Sequence, residues 1–197
     1  MTGDEAERLD AAREALADQA AGRVARWRER MPRRYQGDWP MRDEVVFWAG
    51  QVVAAAGHAD VAELVPNLWL AGNVGNGKTG NVWKLGELLY ANGWAGGIEI
   101  VTGPALFEMV APPVDFAGIR RLCAVDLLVL DDIDAAEVTD WMRQHLYTIT
   151  SEREQERPTI LTSNAGDLAV KVGDRVASRL QPVARVLFDG RDYRRPA

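Results

Sequence analysis

Gly72-Asn-Val-Gly-Asn-Gly-Lys-Thr79, inside AGNVGNGKTGNVWKL (71–85), decides how this chain is read. It fits G-x-x-x-x-G-K-[ST] and stands between a short apolar run, LWLAG (68–72), and a helical pattern over about 78–91. That strand–loop–helix setting is what a phosphate-cradling loop requires. The backbone of Gly72, Asn73, Val74, Gly75, Asn76 and Gly77 turns N–H groups towards phosphates. Lys78 supplies a point charge to the β- and γ-phosphates, and the Thr79 hydroxyl is a ligand for Mg²⁺. The helix N-terminus adds its partial positive charge. Gly80 belongs to the same stretch, yet at an early helix position it costs up to about 1 kcal/mol against alanine. Either close packing or sequence drift accounts for it.

The bulk numbers narrow the field. The 197 residues fit one domain with an appendage, and 47% hydrophobic content supports a core. A net charge of −6 argues against a protein coated in positive potential. One cysteine, Cys123, excludes an internal disulfide and a multi-cysteine zinc site. No apolar run approaches the ~20 residues that span a bilayer. The acidic start, MTGDEAERLD, lacks a secretory apolar core. A cytoplasmic protein without membrane contact is the expectation.

Outside the loop, apolar spacing predicts a long helix over 3–30, with Leu9, Leu16, Ala20, Val24, Trp27 and Met31 on one stripe. Pro32 stops it, and 31–40 reads as a linker. Helices are predicted over 43–56, 78–91, 104–110, 115–121 and 137–154, with short ones filling 166–180. Strands are predicted at 68–72, 98–102, 125–132, 158–164 and 184–189. Strands alternating with helices imply an α/β fold with a mostly parallel sheet.

Three further elements carry chemistry. LLVLDD (127–132) ends a doubly buried strand in two acids. Asp131 is placed to hold Mg²⁺, and Asp132 to polarise an attacking water. LTSN (161–164) ends another strand in Asn164, a candidate γ-phosphate sensor; ordinary turn chemistry is the competing account. In GDRVASRL (173–180), Arg175 and Arg179 share a helix face. Arg179 is the candidate finger towards a neighbouring subunit's γ-phosphate, against the alternative of a solvated arginine paired with a local acid.

Taken together and in this order, these elements resemble the AAA+ ATPases of the DnaC/DnaI helicase-loader family. The resemblance runs from MPRRY at 31 to DYRR at 192–195. Its most specific piece runs from DLLVLDDID through DWMRQHLYTI to PTILTSN, followed by the G-x-R-x-x-S-R-L box. It implies a P-loop NTPase core with a parallel five-stranded sheet flanked by helices, an N-terminal helix and no substantial C-terminal lid. The implied division is an N-terminal helix at 1–30, a linker at 31–40 and an ATPase domain at 41–197. Lys78 and Thr79 become phosphate and Mg²⁺ ligands, and Asp131 the metal acid. Asp132 becomes the catalytic acid, Asn164 the sensor and Arg179 the finger. Arg194, in the G-x-x-Y-R-like ending, faces nucleotide. The implied activity is an ATPase that loads a replicative DNA helicase, with ATP and Mg²⁺ as cofactors and self-association into an oligomer or filament. An IstB-like transposition helper, a P-loop small-molecule kinase and an ATP-holding binding protein are the other readings. The chain departs from the family pattern at Gly80-Asn81, at Asp134 where glycine is usual, and in its short N-terminal region.

A basic patch completes the reading. Arg23, Arg26, Arg28, Arg30, Arg33 and Arg34 crowd twelve residues that hold one acid, Glu29. Single-stranded DNA is a candidate partner, with Trp27 and Tyr35 stacking on bases. The alternative is the basic end of a helix with Trp27 on its apolar face. His58, His145 and Cys123 read as structural.

Overall fold

The computed structural model describes residues 3–57, 65–134, 138–154, 156–164, 166–190 and 192–193. In chain order these residues form α1 (Gly3–Arg30), a 3₁₀ turn (Arg33–Tyr35), α2 (Asp43–Ala55), β1 (Asn67–Gly72), α3 (Lys78–Ala91) and β2 (Ile98–Thr102). There follow α4 (Gly103–Val110), α5 (Phe116–Ala124), β3 (Leu127–Asp131), α6 (Asp140–Arg153), β4 (Thr159–Ser163), α7 (Leu168–Val172), α8 (Asp174–Arg179) and β5 (Val183–Phe188). His58 and residue 137 lie outside the described residues.

All five strands run parallel, in the order β2-β3-β4-β1-β5. The strand that feeds the glycine loop is therefore interior, flanked by β4 and β5. β3 and β4 are buried along their whole length, as their unbroken apolar runs require. Alternate side chains build two cores. Leu68, Leu70, Leu127, Val129 and Ile160 face α1, α2 and α3, whereas Trp69, Leu128, Leu130 and Leu161 face the helices from α4 to α8.

Element ends shift from expectation for local reasons. β3 starts at Leu127 rather than 125, because the Val125 N–H still bonds the Arg121 carbonyl at the end of α5. It ends at Asp131 because Asp132 turns into the left-handed region, with φ 54°. Thr139 caps α6, its hydroxyl accepting from the Met142 N–H.

Only the C-terminal part of α1 is covered. Trp27 (2% exposed) and Met31 pack on α3, while Leu9 and Leu16 stand exposed. The apolar stripe continues past the end of its neighbour. The Trp27 indole seats where a methyl group on Gly86 would lie, and its Nε1–H donates to the Trp83 carbonyl at 2.8 Å. Glu87 on α3 accepts from Arg28 of α1 and from Lys84.

The Arg153 side chain is buried with its charge. Arg153, at the end of α6, donates to the carbonyls of Leu122 (2.9 Å), Val125 (2.6 Å) and Pro158 (2.8 Å), and to the Thr159 hydroxyl (3.0 Å). The carbonyls of Leu122 and Val125 lie at the negative end of α5, which favours a cation there. Burial, with Arg157 nearby, lowers its pKa to about 10, so it remains charged at neutral pH. Among the described residues, no helix is long and apolar enough to cross a membrane.

Candidate nucleotide site

Parallel strands put all their C-terminal ends at one edge of the sheet. There Gly72 lies beside Phe188, Ala71 beside Ser163, and Thr102 beside Asp131. From β1 the chain crosses over α3 to β2, past β4 and β3. This is the kind of topological switch at which open α/β sheets bind ligands. The glycine loop thus meets the acids of β3 and Asn164 of β4, segments distant in sequence.

The loop closes on its own lysine. Lys78 Nζ donates to the carbonyls of Gly72 (2.6 Å) and Asn73 (2.9 Å) and to Asn164 Oδ1 (3.0 Å). Gly77 caps α3 in the left-handed conformation, φ 94°, which side chains rarely adopt. Asn76 Nδ2 anchors the loop to the Phe188 carbonyl at 2.9 Å.

The acids of β3 are held through threonines. Thr79 Oγ1 donates to Asp131 at 3.1 and 3.2 Å, and Thr162 Oγ1 donates to Asp131 Oδ1 at 2.7 Å. Thr162 in turn accepts from the Asp132 N–H at 2.8 Å. Burial raises the pKa of Asp131, outweighing the hydrogen bonds from Thr162 and Thr79. A bound cation would reverse that balance. Thr79 and Asp131 form a hard oxygen pair of the kind Mg²⁺ takes alongside substrate phosphates, so the donor set fits. Asp134 accepts from the Asn164 N–H at 2.9 and 3.1 Å and fixes the end of β4.

A cleft of about 320 Å³ opens here, lined by Gly75, Gly77, Lys78, Thr79, Asp132 and Asn164. Its other wall is aromatic. Trp39 lies 5.2 Å from the Tyr35 ring and 5.1 Å from that of Tyr193, and Arg34 borders them. The Tyr193 N–H bonds the Gly75 carbonyl at 2.9 Å. Position 80 holds glycine because the Trp39 indole occupies the place of a side chain. Asn81 completes the dock: its Oδ1 accepts from the Arg42 N–H at 2.9 Å, and its Nδ2 donates to the Pro40 carbonyl at 3.3 Å. The departure Gly80-Asn81 is therefore a seat for residues 39–42. Trp39, Tyr193 and Thr162 escaped the sequence reading, which marked Asp134 only as a departure. A pairing of tryptophan with glycine 41 positions away leaves no periodic signal.

One expectation changes. Trp27 and Tyr35 (8% exposed) are buried, so base stacking is not open to them; Trp27 lies on the apolar face of its helix. Arg179 is paired with a local acid, Glu154, as the competing account of it has it. Among the described residues, the cleft lining does not include Arg179, which stands on α8. Arg194 lies outside the described residues.

A parallel sheet in this order, with the glycine loop after β1 and acids at the end of β3, defines a P-loop core of AAA+ type. No family model matches the chain, and no curated protein is significantly similar to it. Solved structures do match. The DnaI structure shares 21% identity over 83% of this chain and 94% of that one, with a TM-score of 0.63. The DnaC helicase loader shares 18% over 80% of this chain and 100% of that one, at 0.64. The replication initiator DnaA bound to AMPPCP and single-stranded DNA shares 18% over 78% of this chain and 48% of that one, at 0.60. At these identities the likeness is one of fold, and at that level it agrees with the family resemblance in the sequence.

Proposed function

We propose that this chain is an ATP-dependent loader of a replicative hexameric helicase, switching on ATP binding and hydrolysis. The observation that carries the reading is the convergence of Lys78, Thr79, Asp132 and Asn164 on one cleft at the sheet edge, with Asp131 hydrogen-bonded to Thr79. In this reading the phosphates lie along the glycine loop and the base against Trp39 and Tyr193. Thr79 and Asp131 hold Mg²⁺, which when bound neutralises phosphate charge. Asp132 orients the attacking water, Asn164 faces the γ-phosphate, and Arg179 reaches the site of a neighbouring copy in an oligomer or filament. Arg194 adds a contact to nucleotide. The helix at 1–30 is the partner-contacting part, 31–40 the linker and 41–197 the ATPase domain, acting in the cytoplasm. Single-stranded DNA is a secondary partner, held by charge alone through Arg26, Arg30, Arg33 and Arg34, which are exposed.

The deciding experiment is capture of a purified replicative helicase by this protein with and without ATP, alongside phosphate release. ATP-dependent capture and slow, helicase-sensitive turnover are expected. Phosphoryl transfer to a nucleoside or metabolite, with no capture, would replace this reading with a kinase. Charge reversal at Arg26, Arg30 and Arg33 is expected to abolish DNA binding and its salt dependence.

A further inference from the structure

On α8, Arg179 Nη1 donates to Glu154 Oε2 at 2.6 Å, and Nη2 donates to the Tyr147 hydroxyl at 3.1 Å. Its Cζ lies 5.5 Å from the centroid of the Tyr147 ring. Both partners come from one element: Tyr147 stands on α6, and Glu154 is the residue that ends it. The contact joins α6 to α8 beside a groove of about 620 Å³ lined by Arg143, Gln144, Tyr147, Asp174 and Arg175. The hydrogen bond from Arg179 is the main cause that lowers the Tyr147 pKa.

We infer that Glu154 and Tyr147 are positioning residues that hold the Arg179 guanidinium at the edge of the subunit, aimed for a nucleotide on a neighbouring copy. This deepens, and rests on, the reading of Arg179 as the finger. A half-exposed arginine surrenders rotamer freedom when it docks. A side chain already fixed at two nitrogens has given up much of that freedom before the neighbour arrives. The clamp leaves donors for phosphate. A carboxylate that merely silenced the cation would face it as a two-pronged fork. Here Glu154 takes one bond and a neutral phenol takes the second.

The test compares Arg179→Ala, Glu154→Ala and Tyr147→Phe by steady-state turnover and by sedimentation with a non-hydrolysable ATP analogue. Glu154→Ala is expected to lower kcat roughly tenfold with KM unchanged, and to weaken analogue-dependent self-association. Tyr147→Phe is expected to do the same to a smaller degree. In the Arg179→Ala background Glu154→Ala adds nothing further, since both act through one group. Mixing Glu154→Ala with Lys78→Ala restores turnover, because Lys78→Ala subunits lend a well-held Arg179 to an intact neighbouring site. A misfolded variant restores none, which overturns the positioning role. Wild-type kcat and self-association in Glu154→Ala, with Arg179→Ala inactive, also overturn it and leave the finger standing. A raised kcat in Glu154→Ala overturns it too, by making the carboxylate a restraint. Arg179→Ala as active and as self-associating as wild type overturns the finger reading itself.

Discussion

The indole of Trp39 rests on the α-carbon of Gly80, in the space a side chain would fill. The N-terminal segment is thereby fastened to the first turn of α3, immediately after the phosphate loop. In Gly80→Ala, helix propensity gains up to about 1 kcal/mol, while overpacking costs about 1–3 kcal/mol. The expected result is a net loss of stability in urea unfolding together with weaker ATP binding. A variant as stable and as tight as wild type would make Gly80 a product of drift.

Asp132 combines a left-handed backbone with a place in the cleft lining. Asn tolerates that conformation as Asp does. Asp132→Asn is therefore expected to keep the fold and ATP affinity and to lose turnover by about 100-fold. Unchanged turnover would remove Asp132 from the chemistry. Asp132→Glu is a poorer probe, because a longer side chain at this φ adds strain to any gain in reach.

Asp134 accepts the Asn164 N–H, so it fixes the residue whose Oδ1 meets Lys78. Asp134→Ala is expected to reduce turnover about tenfold while ATP affinity changes little. Loss of affinity equal to the loss of turnover would mean that the loop, rather than Asn164, had moved.

Glu87 links pH to the seating of α1. Burial raises its pKa, but the hydrogen bonds from Arg28 and Lys84 outweigh it, so the folded-state value lies below 4.5. A depressed carboxylate contributes stability above its unfolded value and loses it as pH falls through the folded one. The advantage of wild type over Glu87→Gln, about 0.5–1 kcal/mol, should be full at pH 7 and fade below about 4.5. Thermal unfolding of both proteins across that window measures it; a constant difference would exclude the ion pair as its source.

Arg153 is a buried cation whose partners are mostly backbone carbonyls. Arg153→Met preserves bulk and strands the carbonyls of Leu122, Val125 and Pro158. Buried acceptors left without donors should cost about 2–4 kcal/mol. Chemical denaturation reads this directly, and a loss below 1 kcal/mol would show that water replaces the guanidinium.

The sequence by itself determined most of the local elements and the strand–loop–helix setting of the glycine loop. Unbroken apolar runs mark buried strands, and G-x-x-x-x-G-K-T needs no partner to be recognised. The placement of Asp131, Asp132 and Asn164 at strand ends was also legible, since each closes an apolar run. Only the tertiary structure decided what those ends meet. The order β2-β3-β4-β1-β5 puts β4 beside β1 and so brings Asn164 to Lys78. It decided that Gly80 and Gly86 are seats for Trp39 and Trp27, and that Arg179 is clamped by α6. The physical reason is range. Periodicity and capping act within a few turns of chain, whereas shape fit between an indole and a bare α-carbon exists only once distant segments pack.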